Sequence, residues 1–172
     1  MDLVKIILQY FLLPALSAIF TYWFMRYKAK ASKNDLHDKS VFDRIDSIIN
    51  SQDVAGIIHN ARMGYLYMSA HSQSDDLHDF NQDMANRFID VKLQKGYSDF
   101  DDSLARLSRL YALSSFADFT DGSRKCVKLV YHKRGNIDFA EDRLIVENEE
   151  LVSKVEKAYS IFRSIIKRRF SV

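Results

Sequence analysis

The sequence predicts a mainly helical protein in which one N-terminal transmembrane helix is followed by a compact cytosolic domain of about five helices. Two features of composition support this prediction: 47% of the residues are hydrophobic, and the 172 residues include only five glycines and one proline. Such a composition disfavours disorder and turn-rich all-β folds. The third observation is spacing, because apolar residues recur every three or four positions along most of the chain, as on one face of a helix.

The first predicted element is a transmembrane anchor at residues 1–25. No Asp, Glu, Lys or Arg occurs from Ile6 to Met25, and at ~1.5 Å per residue this helix spans roughly 30 Å, the thickness of a bilayer core. The residues that follow this run are rich in Lys and Arg, whereas only Lys5 is basic before it. The C-terminal side is therefore predicted to lie in the cytosol and the N-terminus outside. If the source is bacterial, the membrane is predicted to be the inner membrane. The predicted anchor flank consists of Tyr22, Trp23, Arg26, Lys28, Lys30 and Lys33.

A secretory signal peptide is the alternative interpretation of this N-terminal run, since Ala15-Leu16-Ser17 resembles a cleavage site. The apolar run continues past that site to Phe24, however, and basic residues follow immediately. Both features favour a stop-transfer helix that stays in the protein.

Residues 26–40 are polar and charged and show no apolar periodicity. They are predicted as a juxtamembrane linker or as a helical extension of the anchor. The remaining residues, 41–172, are close to the most common size of a single domain, so the sequence predicts one cytosolic domain with one core.

The first two helices of this domain follow from apolar residues at helical spacing. These residues fall within 41–49 for the first helix and within 54–68 for the second. Asn50 and Ser51 lie between the two and are predicted to interrupt or cap the first helix.

A third helix is predicted to begin at Ser74, with apolar residues at helical spacing as far as Val91. Gly96 is predicted to cap its C-terminal end, since glycine is the preferred residue just past a helix. A fourth helix is predicted to begin at Ser98 and to continue at least to Tyr111.

Beyond the fourth helix the apolar period changes, because Val127, Leu129 and Tyr131 alternate with polar residues as in a half-buried strand. A short β-hairpin near residues 125–140 is therefore predicted, and a short helix over the same residues stays open. The last helix is predicted from apolar residues at helical spacing between Ile145 and Ile166.

An acidic segment indicates a contact surface for a partner. Residues 75–102 contain eight acids and three bases, which suits a basic partner and is also typical of a solvated helix surface. The apolar face of the last helix is a second predicted surface, for a partner or for a second copy. The predicted partner-binding residues are Asp75, Asp76, Asp79, Asp83, Tyr159, Phe162 and Ile166.

A predicted basic surface lies at residues 124–134, which contain five bases and no acid. On an anchored protein these cations suit anionic lipid headgroups better than nucleic acid, and a solvated loop is the simplest interpretation of all. The bases concerned are Arg124, Lys125, Lys128, Lys133 and Arg134.

No motif of catalysis is recognisable in the sequence, which lacks a glycine-rich phosphate loop, a nucleophile elbow and the Cys/His spacing of a zinc site. Catalytic residues and a cofactor are therefore not predicted, and the single cysteine, Cys126, rules out an intrachain disulfide. The pair His78-Asp79 is a weak candidate for metal binding, because helical metal-dependent phosphohydrolases use adjacent His and Asp ligands.

Taken together, these features predict a single-pass interaction or regulatory protein that holds a partner at the cytosolic face of a membrane. Its predicted partners are membrane lipid and another protein or a second copy. Two alternatives are a metal-dependent phosphohydrolase of helical type and a self-assembling effector that acts on the membrane through Gln9, Pro14 and Ser17.

Overall fold

A computed structural model describes residues 13–113, 117–121, 124–128 and 139–170 of the chain. Within these ranges the protein is mainly helical, with five α-helices, one short 3-10 turn at Met84–Asn86 and a small sheet. In chain order the elements are α1 (Leu13–Ile48), α2 (Ser51–Arg62), β1 (Tyr65–Tyr67), α3 (Met68–Gln82), α4 (Val91–Leu113), β2 (Ala117–Asp121), β3 (Arg124–Lys128) and α5 (Phe139–Phe170).

Helix α1 is continuous over 36 residues, a length of roughly 54 Å. It therefore includes residues 26–40 as a helical extension, one of the two structures expected for that segment. Arg, Lys, Ala and Leu fill eight of those fifteen positions, and glycine and proline are absent from them. Because these four residue types lose little entropy in a helix, the polar segment favours continuation of the helix.

The predicted transmembrane anchor is wrong. In residues 13–113 and the other described ranges, no helix is both long enough and apolar enough to cross a membrane. The physical reason is charge: an 18-residue stretch that begins at Leu13 already includes Arg26, Lys28 and Lys30. The predicted single-pass membrane localisation, with the N-terminus outside and the C-terminus in the cytosol, depended on this anchor and is wrong with it. Contact with membrane lipid stays a prediction.

Helix α2 begins where Asn50 caps it. The Asn50 side chain accepts hydrogen bonds from the backbone N–H groups of Gln52 and Asp53, and the Asp53 carboxylate accepts one from the Asn50 N–H in return. This reciprocal arrangement satisfies backbone donors that the first turn of a helix leaves unpaired. The interruption that the sequence predicts at Asn50 and Ser51 is confirmed at Asn50, but Asn50 caps the helix that follows it and not the first helix.

The predicted boundaries of the third and fourth helices are wrong. Helix α3 already begins at Met68, and the chain is non-helical from Arg87 to Asp90, where the third helix was expected to continue. Helix α4 begins at Val91 because the Asp90 carboxylate accepts hydrogen bonds from the N–H groups of Lys92 and Leu93 in its first turn.

Gly96 lies inside α4 and does not cap a helix. A Cβ atom at this position would lie 3.3 Å from Cδ1 of Ile165 and 3.6 Å from Cα of Phe162. The missing side chain therefore lets α4 and α5 approach closely.

The three strands form an antiparallel sheet in the order β1-β3-β2. The β2–β3 hairpin pairs Asp121 with Arg124 and Ala117 with Lys128, so it lies earlier in the chain than the hairpin predicted near residues 125–140. Residues 129–138, on which the second half of that prediction falls, lie outside the described residues. Where the sequence left strand and helix open, residues 124–128 are a strand.

The core is centred on Phe162 of α5, which is 1% exposed. Four aromatic rings from α1, α4 and the segment before α4 surround it, with ring centres 5.8 to 6.4 Å away. These rings belong to Phe42, Phe88, Tyr97 and Phe100. The long helices are thus joined by aromatic packing around one side chain.

Candidate functional site

The most unusual surface of the protein is the N-terminal part of α1. Every residue from Ser17 to Lys33 is exposed, so this part of the helix contacts little of the described chain. Six of the seven residues at positions 19–25 are large and apolar or aromatic, and the exposed fraction reaches 73% at Phe20 and 70% at Trp23. These seven positions are termed the apolar segment. Because large contiguous apolar surfaces are rare on monomers, the apolar segment indicates a contact surface.

Next to the apolar segment lies a basic segment, residues 26–33, which contains four exposed cations. No Asp or Glu occurs from Ala18 to Asn34. The two segments are in contact, since Nζ of Lys28 lies 4.9 Å from the centre of the Phe24 ring. The four cations of the basic segment are Arg26, Lys28, Lys30 and Lys33.

The base of this projecting helix is held by charges. Asp38 is 0% exposed, and its carboxylate accepts hydrogen bonds from the N–H groups of Ile89 at 2.6 Å and Asp90 at 3.2 Å. Arg169 near the end of α5 forms ion pairs with Asp35, Asp38 and Asp90. The network therefore fixes α1 to the start of α4 and to the end of α5.

Exposed apolar side chains continue from α1 onto the neighbouring loop. Leu36 is 66% exposed, Ile89 49% and Val91 80%. They lie where α1 meets the body, since Nε2 of His37 is 3.0 Å from the carbonyl oxygen of Arg87 and the Ile89 N–H binds α1. The apolar segment, the basic segment and these three residues together are termed the docking end.

A second feature is a cleft of about 430 Å³ between α3 and α4, lined by both apolar and polar side chains. In it, Nδ1 of His71 lies 2.7 Å from the hydroxyl oxygen of Ser108. Burial lowers the pKa of His71 despite the opposing charge of Asp75. The imidazole is therefore neutral at physiological pH, and the His71–Ser108 hydrogen bond ties the two helices together.

Two turns further along α3, Nδ1 of His78 lies 3.2 Å from Oδ2 of Asp101, a residue of α4 that is 1% exposed. Asn81 donates a hydrogen bond to the same oxygen at 2.8 Å. The other oxygen of Asp101 is buried and has no hydrogen-bond partner among the described residues. Behind His78, which lines the cleft, α4 therefore carries a buried carboxyl group that is only half satisfied.

Asp101→Asn is expected to become more stable relative to wild type as the pH rises from about 4. Burial raises the pKa of Asp101 above its ordinary value of 3.8, against the hydrogen bond from Asn81 and the charge and hydrogen bond of His78. A raised folded-state pKa stabilises the fold fully below the unfolded-state pKa, and this stabilisation is lost as the pH rises through the folded-state pKa. The side-chain amide in the Asp101→Asn variant does not titrate, so the variant does not lose this stability as the pH rises.

The measurement for Asp101→Asn is urea unfolding of both proteins between pH 4 and 8. Asp99→Asn is the control, because Asp99 is exposed on the same helix. His71 titrates in both proteins and cancels in the difference. If the free energy of unfolding changes with pH in the same way for wild type and Asp101→Asn, the buried carboxylate of Asp101 does not destabilise the fold as the pH rises.

The structure gives no support to the weak metal candidate, His78-Asp79. His78 is engaged with Asp101, whereas Asp79 is exposed. Across the described parts of the chain, no group of three or more His, Cys, Asp or Glu side chains is arranged to hold a metal ion.

The predicted acidic and basic residues lie on different elements. Asp75, Asp76 and Asp79 are exposed on α3, and the exposed Asp83 caps the 3-10 turn by accepting a hydrogen bond from the Ala85 N–H. They remain predicted partner-binding residues.

The predicted basic surface is described only in part. Arg124 and Lys125 are exposed on β3, and the Arg124 guanidinium lies 5.6 Å from the centre of the Tyr67 ring. Lys128 pairs through its backbone in the same strand. Lys133 and Arg134 lie outside the described residues, so contact of this surface with lipid or nucleic acid stays a prediction.

The three apolar residues predicted as a partner surface on the last helix face inward. Phe162 and Ile166 are both 1% exposed, and the half-buried ring of Tyr159 lies 5.0 Å from that of Phe100. Their helical spacing therefore marks the core face of α5. In this fold a partner has no access to Phe162 or Ile166.

Two groups of residues were missed by the sequence analysis. One is the network of Asp38 and Arg169, which joins positions 131 residues apart and leaves no local pattern. The other is Asn148, a buried residue of α5 whose Nδ2 donates a hydrogen bond to the carbonyl oxygen of Ala61 at 2.9 Å. An asparagine within an apolar helical stripe is the only available signal for such a contact.

No protein-family model matches the chain, and comparisons with curated proteins and with solved structures find no match. The function must therefore be argued from the surfaces of the protein itself.

Proposed function

We propose that this chain is an interaction protein that binds another protein through its docking end. The observation that carries the proposal is where the exposed apolar side chains lie. Of fifteen large hydrophobic side chains exposed in the described residues, ten belong to the docking end. No two of the other five are adjacent in the sequence, and single exposed hydrophobic residues are normal on a protein surface.

The docking end is also held in a fixed orientation. A helix that is free at its base would lose orientational entropy on binding, which costs affinity. Here Asp38 and Arg169 fix the base of α1 to two other helices. The body of the protein therefore presents the apolar segment at a defined angle, which favours recognition of a groove by a helix.

Pairing with a second copy through the same segment is disfavoured by charge. In a parallel pair of α1 helices, the cations at positions 26, 28, 30 and 33 of the two copies would lie side by side and repel one another. In an antiparallel pair centred on Tyr22, each Lys30 would lie opposite position 14 in the apolar run of the other copy. We therefore expect the occupant to be a different protein.

The proposal predicts that a photoreactive benzoylphenylalanine at position 20 forms one discrete cross-linked product in the cells that naturally express the protein. The matched control places the same group at Ile161, which is 47% exposed on α5 and remote in sequence from the docking end. The product should disappear when Trp23→Ser and Phe24→Ser are combined, while the helical circular dichroism stays unchanged.

Two results would overturn the proposed function. The first is a cross-linking yield at position 20 no higher than at position 161. The second is a product with twice the mass of the chain, which would identify a second copy as the occupant.

A further inference from the structure

We infer that the partner presents an apolar groove bordered by carboxylates. This inference rests on the proposed function, and it concerns the chemistry of the partner rather than the existence of one. It follows from the order of apolar and basic residues along α1. At ~100° per residue, one side of the helix carries in succession Ile19, Tyr22, Trp23, Arg26, Lys30 and Lys33. The apolar part of this stripe is distal to the body and the basic part is proximal.

The distance between the two parts sets the geometry of the partner. Eight residues separate Tyr22, near the centre of the apolar segment, from Lys30 in the basic segment, which corresponds to roughly 12 Å along the helix. A partner that covers both must therefore place its carboxylates about 12 Å from the centre of its apolar groove.

The cations of the basic segment are available for such contacts. Some other bases are paired, such as Arg62 with Glu156 and Arg163 with Asp46. Within the described residues, no ion pair involves any of the four cations of the basic segment. Covering unpaired cations with an apolar surface costs free energy, so the surface that meets them must supply negative charge.

Trp23 makes this inference directly testable, because it is the only tryptophan in the chain and is 70% exposed within the apolar segment. Its emission should shift to shorter wavelength when the segment enters an apolar groove. The probe is a synthetic amphipathic helical peptide with a leucine face flanked by glutamates. The comparison peptide has lysines in place of the glutamates.

The glutamate peptide is expected to shift the Trp23 emission and to bind at least about tenfold more tightly than the lysine peptide, a difference of about 1.4 kcal/mol. Its affinity should fall as the salt concentration rises. The double variant Lys30→Glu and Lys33→Glu leaves two bases and two acids in the basic segment and should remove most of the preference between the peptides. The control double variant, Lys154→Glu and Lys157→Glu, reverses two exposed charges on α5 and should keep the wild-type preference.

The results separate this inference from the proposed function. Equal binding of both peptides, together with the cross-link at position 20, would overturn the carboxylate border and leave the proposed function standing. Absence of both the peptide response and the cross-link would overturn the two together. A response to vesicles of phosphatidylserine, without a response to the glutamate peptide, would overturn the choice of a protein partner.

Discussion

Phe162→Ala is expected to lower the free energy of unfolding by about 3–5 kcal/mol. Phe162 is 1% exposed and lies among four aromatic rings from three parts of the chain. Removing its ring leaves a cavity. Because α4 and α5 are already in close contact at Gly96, the two helices cannot move much closer together to fill it.

Urea unfolding followed by circular dichroism measures this loss. Ile161→Ala is the matched control, since Ile161 precedes Phe162 on the same helix but is 47% exposed. Its change in unfolding free energy should stay below about 1 kcal/mol. If both variants unfold at the same urea concentration as wild type, α5 does not pack through Phe162, and the apolar stripe of α5 would again qualify as a partner surface.

Asp38→Ala is expected to cost about 3–5 kcal/mol of unfolding free energy. The substitution removes a fully buried carboxylate that accepts hydrogen bonds from the N–H groups of Ile89 and Asp90 and pairs with Arg169. Two backbone donors ahead of α4 would then be left without an acceptor, and the guanidinium would lose its buried counterion. Thermal and urea unfolding both report the change.

The control for Asp38→Ala is Asp35→Ala. Asp35 pairs with the same arginine, but its side chain is 52% exposed, so its loss should cost about 1 kcal/mol or less. The comparison distinguishes burial from charge alone, because both variants remove one negative charge next to Arg169. Equal losses for the two variants would contradict the special role assigned to the buried carboxylate.

The sequence was informative where structure depends on neighbouring residues. Helical spacing predicted the mainly helical character, and Asn50 predicted the interruption between α1 and α2, because both depend on contacts within one or two turns. The break before α4 was missed because the apolar spacing runs on through it. The helix is interrupted there because Asp90 caps α4, and because Asp38, on a helix distant in sequence, accepts a hydrogen bond from the Asp90 N–H.

The remaining errors concern which helix faces are buried and how far the first helix stays apolar. Apolar spacing locates the face of a helix but does not say whether that face meets the core or solvent. Phe162 and Trp23 are both large and aromatic, yet one is 1% and the other 70% exposed. The anchor was predicted from the run between Ile6 and Met25, whereas the helix the structure describes is apolar only as far as Met25 and then carries basic residues.

The position of Arg169 near the end of α5 also has a consequence for the order of assembly during synthesis. The ribosome makes α1 first, and segments fold as they emerge. Asp38 and Asp90 therefore cannot pair with Arg169, their shared counterion, until the last turn of α5 has left the ribosome. A nascent chain stalled before residue 169 lacks this counterion, so the base of α1 is held less firmly, by the hydrogen bonds from the N–H groups of Ile89 and Asp90 to Asp38. Chaperones that recognise exposed aromatic residues are expected to bind that chain longest.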